Sequence, residues 1–108
     1  MKKDIEKMSK LCDAYGKLLT ERMLGIIRSY YDYDLSLAEI AENFGITRQA
    51  ALDAIKQAEI KLIDYESKLG LVEKSDKLTR SLERLRSEMD VNIEQAKATV
   101  RSIIDETN

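Results

Sequence analysis

The chain has 108 residues with a formal net charge of −2, 35% charged and 44% hydrophobic residues, four Gly, one Cys, and no Pro, His or Trp. That length holds one domain with at most an added helix, and a charged fraction above the globular average of about 25% beside an ordinary apolar fraction describes a chain that folds. Lacking imidazole, it lacks the commonest general base and transition-metal ligand; a single thiol makes neither an internal disulfide nor a structural zinc site. Near-neutral charge does not by itself demand a polyanion as partner. The absence of Pro and the scarcity of Gly predict mostly helix.

The start, Met1 to Lys7, is charged and leads into no apolar run, and no apolar stretch approaches the roughly 18 residues of a membrane span. No secretory signal or membrane insertion is expected, and the expected location is the cytoplasm. Ile5, Met8, Leu11, Cys12 and Tyr15 follow at helical spacing, with Gly16 as the stop and Cys12 as a buried structural thiol. Thr20 is the expected N-cap of the next helix, whose wide apolar band (Met23, Leu24, Ile26, Ile27, Tyr30, Tyr31) marks a central helix contacted from two sides. Gly25 inside that helix costs about 1 kcal/mol relative to Ala, which either a helix touching its backbone or sequence drift would explain. Tyr30 and Tyr31 are read as core aromatics and Tyr33 as partly exposed.

Ser36-Leu37-Ala38-Glu39 reads as a capping box opening a short helix to about Phe44, which Gly45 ends. Thr47 caps a longer helix carrying Ala51, Leu52, Ile55, Ala58, Leu62 and Tyr65 to about Leu69, and Gly70 stops it. The last predicted segment, Ser75 to about Asp105, carries a seam of Leu78, Leu82, Leu85, Met89, Ile93, Ala96, Val100 and Ile103, spaced 4, 3, 4, 4, 3, 4, 3. This is a coiled-coil-like repeat with one stutter, and the weak helix formers Asp90-Val91-Asn92 beside it are a place for a kink or break. A single helix of this length would span about 46 Å against about 28 Å for a 70-residue globule, so it must overhang, fold back or pack on another chain. The seam is the candidate oligomer interface, with a homodimer expected. The chain therefore divides into residues 1–70 and an amphipathic extension, residues 71–108.

Residues Leu37 to Lys56 have helix-turn-helix spacing. Ala41 is the small residue at the crossing, Gly45 is the turn, and Ile40, Phe44, Ile46, Ala51 and Ile55 fill the small core between the two helices. Ala51 stands where such motifs usually have Val or Ile, implying a closer or less filled crossing. If this motif reads DNA, its face is Thr47, Arg48, Gln49, Leu52, Asp53, Lys56 and Gln57, with Arg48 suited to guanine, Gln49 to adenine and Lys56 to a phosphate. Asp53 opposes that reading unless it accepts from a cytosine amine. Residues 34–70 hold four cations against seven carboxylates, a net of −3, whereas specific DNA binders neutralise several phosphates. Two basic rows, Lys3, Lys7, Lys10 and Lys77, Arg80, Arg84, read as solvated faces with local ion pairs. Glu39 and Glu42 lie on the outside of a short helix. Without a nucleophile–base pair, phosphate loop or ligand cluster, no enzyme, cofactor or metal is expected.

Leu19-Thr20-Glu21-Arg22, Tyr30-Tyr31, Leu35 to Ala41, Gly45-Ile46-Thr47, Ala58 and Lys61-Leu62 together resemble region 4 of sigma-70-type factors, where the equivalent module binds promoter DNA. Tyr15-Gly16, Leu18-Leu19-Thr20-Glu21, Asp34-Leu35-Ser36-Leu37, Thr47-Arg48-Gln49-Ala50 and Asp64 to Leu69 are more closely similar to the YlxM-like family of small bacterial helix-turn-helix proteins. The resemblance covers about residues 5–72. It implies an all-α, sigma region 4-like bundle. It also implies an accessory or regulatory factor of the signal recognition particle pathway, docking on the particle's GTPase, its receptor or their RNA. The alternative is a transcriptional regulator reading double-stranded DNA with the helix that starts at Arg48.

Overall fold

The computed structural model describes residues 4–89 and 93–107, and their regular elements are all helical. They run α1 (Ile5–Tyr15), a short 3-10 turn (Gly16–Leu18), α2 (Glu21–Tyr31), α3 (Leu37–Phe44), α4 (Arg48–Leu69), α5 (Leu71–Met89) and α6 (Ile93–Thr107). The chain is thus an all-α helix-turn-helix bundle with a helical extension, as its patterning predicts. Contacts group residues 1–72 into one unit and 73–108 into another.

In the first unit α2 and α4 are the hub: α2 packs on α1, α3 and α4, and α4 also meets α1 and α3. Local chemistry starts α2, α3 and α4 where the caps were expected. Thr20 accepts from the Met23 N–H at 3.1 Å, Ser36 and Glu39 close a reciprocal capping box, and Thr47 accepts from Ala50 at 3.0 Å. Apolar stripes then turn inward: Met8, Leu11, Cys12 and Tyr15 from α1, Ile26, Ile27 and Tyr31 from α2, Ile40 from α3, and Ala51, Ile55, Ala58 and Leu62 from α4. Leu52, Tyr65 and Tyr30 are only half-buried. Tyr30 and Tyr31 meet edge to face with ring centres 5.0 Å apart, and Tyr33 is exposed. Ala51 is fully buried in this core. Burial raises the Cys12 thiol above its ordinary range, which leaves it protonated and unreactive.

Two glycines are explained by neighbours. At Gly25 a Cβ would meet the Phe44 ring at 3.2 Å, so the residue lets the end of α3 lie against α2. Gly16 does close α1, but with φ −56° rather than a left-handed conformation; there a Cβ would stand 2.9 Å from a Leu24 methyl. Gly70, with φ +62°, ends α4 in the left-handed conformation.

The extension departs from expectation at its start. The helix begins at Leu71, four residues before Ser75, because side chains from α1 and α4 cap it. The Tyr15 hydroxyl accepts the Leu71 N–H at 3.0 Å and the Glu66 carboxylate accepts the Val72 N–H at 3.0 Å. In the second unit α5 ends at Met89 and α6 starts at Ile93, while Asp90, Val91 and Asn92, the expected site of a kink, lie outside the described residues. Ser81 donates to Glu106 at 3.1 Å and Thr99 bonds to Glu88, so the extension folds back as a helical hairpin.

Candidate helix-turn-helix docking face

The turn from α3 to α4 is held from both sides. Gly45, at φ 65°, donates to the Glu42 carbonyl at 3.3 Å, and Ile46 donates to Ala41 at 2.9 Å, the pair of bonds that closes a Schellman motif. From α2, Arg22 Nη2 donates to the Phe44 carbonyl at 3.3 Å. Sequence reading missed this contact, since an arginine in the first turn of α2 carries no local sign of reaching residue 44.

All the candidate DNA-reading residues lie at or after this turn. Thr47, Arg48, Gln49, Asp53, Lys56 and Gln57 are exposed and Leu52 is half-buried, so the first turns of α4 present one broad solvent face. Arg48 and Lys56 supply two positive charges there. Gln49 Nε2, however, donates to Asp53 Oδ1 at 2.9 Å. One of the two amide N–H groups is thus turned to the helix's own surface, which biases the orientation that bidentate adenine recognition needs, and a carboxylate sits in the middle of the face.

Four of the module's other six carboxylates bond within the fold. Tyr31 donates to Glu59 at 2.7 Å and Tyr15 to Glu66 at 2.5 Å, Asp64 pairs with Lys68 at 2.9 Å, and Glu39 belongs to the capping box. Burial first, and the carboxylate acceptor second, push both tyrosine hydroxyls above their ordinary value of 10, so they stay protonated donors. Accepting such a bond leaves a carboxylate charged, and the net charge of residues 34–70 remains −3.

The seam residues lie elsewhere, in the second unit. Of the eight, Ala96 is buried and Leu85 and Ile103 are half-buried, while Leu78, Leu82, Met89, Ile93 and Val100 are exposed. A groove of about 240 Å³ is lined by Leu85, Met89, Ile93, Ala96, Lys97 and Val100. Of the two basic rows, Lys10 pairs with Glu6 at 3.6 Å and Lys77 with Glu73 at 3.5 Å; Lys3 lies outside the described residues. Among the described residues no cluster of three or more His, Cys, Asp or Glu could hold a metal ion, and no helix is long and apolar enough to cross a membrane.

Known proteins share this pattern. A family profile described as "Putative helix-turn-helix protein, YlxM / p13 like" (UPF0122) matches residues 2–102. A UPF0122 protein of Desulforamulus reducens is 51% identical over 80 residues, covering 74% of this chain and 68% of that one. One from Symbiobacterium thermophilum is 43% identical over 88 residues, 82% of each chain. Another, from Clostridium perfringens, is 42% identical over 100 residues, covering 93% and 88%.

Proposed function

The chain belongs to the UPF0122 family of helix-turn-helix proteins, and from that premise we propose that it is a cytoplasmic regulatory adaptor whose helix-turn-helix module docks on a protein of the signal recognition particle pathway. The pathway comes from the family resemblance. The choice of a protein over a nucleic acid rests on the Asp53 carboxylate, bonded to Gln49 across the face that would otherwise enter the major groove. Counterion release supplies much of the affinity of nucleic-acid binders, and a net of −3 on residues 34–70 opposes it for RNA and DNA alike. A protein surface with cations facing Asp53 and apolar groups facing Leu52 has no such difficulty. Arg48 and Lys56, both exposed, favour the competing reading of this motif as a reader of duplex DNA.

Fluorescence anisotropy of the labelled full chain tests the proposal. The probes are the purified particle GTPase, its receptor, the particle RNA and a mixed-sequence DNA duplex, at about 50 and 200 mM salt. Expected is saturable binding to the GTPase or its receptor, reduced at least tenfold by Asp53→Lys and little changed by Arg48→Ala. Duplex affinity should stay in the non-specific range of about 10⁻⁴–10⁻⁶ M at physiological salt. Tight duplex or RNA binding that falls steeply with salt and is lost in Arg48→Ala, with neither protein bound, refutes it.

A further inference from the structure

The α5–α6 hairpin is packed the wrong way round for a unit that works alone. Among its described residues the buried ones are Ser81, Ala96 and Thr99, two of them polar, whereas Met89 is 63% and Ile93 70% exposed. Leu78, Leu82 and Met89 share one stripe of α5, and Ile93, Val100 and Ile104 one stripe of α6. The groove lined by Leu85 and Met89 from one helix and Ile93 and Val100 from the other places these stripes on the same side of the hairpin.

We propose that this face is covered by the same face of a second copy, closing a four-helix bundle across a two-fold axis. The conclusion goes beyond the adaptor reading and does not depend on it. Three observations select a second copy. The stripes match in length: Leu78 to Met89 and Ile93 to Ile104 each run about 16 Å at 1.5 Å per residue, and steps of three and four recur along both helices, so one hairpin offers the knobs and holes its duplicate needs. The area suffices, since the exposed parts of those six residues amount to about three whole side chains, or roughly 600 Å² per copy and 1,200 Å² per pair, the lower edge of stable interfaces. The charges agree as well. Residues 73–107 described here carry seven cations and seven carboxylates, with α5 at net +1 and α6 at net −1. Self-association meets no net repulsion, and α5 of one copy beside α6 of the other pairs opposite signs, whereas a strongly charged partner would find no complementary field.

Sedimentation equilibrium of the full chain from about 1 to 100 µM tests this. Expected is a dimer of twice 12.4 kDa. The double substitution Met89→Glu and Ile93→Glu should raise the dissociation constant at least 100-fold with unchanged helical circular dichroism, since both side chains already meet solvent in the single copy. Leu82→Lys, on α5 alone, should weaken the dimer in the same direction. A wild-type chain that is monomeric at 100 µM overturns the proposal, as does a dimer that survives all three substitutions.

Discussion

Tyr15 holds two helix ends with one oxygen. Its hydroxyl donates to Glu66 at 2.5 Å and accepts the Leu71 N–H at 3.0 Å, while Glu66 also accepts from Val72 at 3.0 Å. Tyr15→Phe removes both bonds and leaves the ring, which is 1% exposed and 5.9 Å from the Tyr65 ring, in place. A hydrogen bond to a charged group contributes about 1.5–3 kcal/mol and a neutral one about 1, but the partners are part-buried and water can recover some of the loss. We expect Tyr15→Phe to destabilise the chain by about 2 kcal/mol in urea unfolding followed at 222 nm, with m unchanged. Glu66→Gln, made alone and with Tyr15→Phe, should reveal a coupling of at least about 1 kcal/mol, because the two side chains bond to each other and hold adjacent amides. A Tyr15→Phe loss under 0.5 kcal/mol with additive double-mutant energetics would refute the claim that this cluster starts α5.

Leu62 and Ile60 neighbour each other on α4 but face opposite ways, at 0% and 67% exposure. Leu62→Ala should cost about 2–5 kcal/mol and Ile60→Ala under about 1, in the same urea titration. The tyrosine hydroxyls set an alkaline limit. Because Tyr31 binds its proton more tightly folded than unfolded, its contribution is intact below pH 10, the ordinary value, and is lost as pH rises beyond it. Wild-type stability should therefore fall more steeply above pH 10 than that of Tyr31→Phe; equal slopes in chemical unfolding would contradict the Tyr31–Glu59 bond.

Most helix ends, which depend on residues a few positions apart, were legible in the sequence. Thr20, Ser36 with Glu39, Gly45, Thr47 and Gly70 mark helix ends through bonds spanning three to five residues, and the helix-turn-helix follows from the same local sterics. The core stripes follow from a period that any helix imposes on its own surface. Tertiary structure alone decided the rest. Arg22 reaches Phe44, Tyr31 reaches Glu59 and Tyr15 reaches Glu66 across 22, 28 and 51 residues, so no periodicity reports them, and they move the start of α5 and the role of two carboxylates. Sequence pattern showed that Gln49 and Asp53 share a face, but only the packed side chains showed that they bond to each other. The seam from Leu78 to Ile103 was equally plain as a pattern. Which of its residues turn inward is decided by how α5 and α6 meet, and that depends on pairing two surfaces rather than on the order of residues in either.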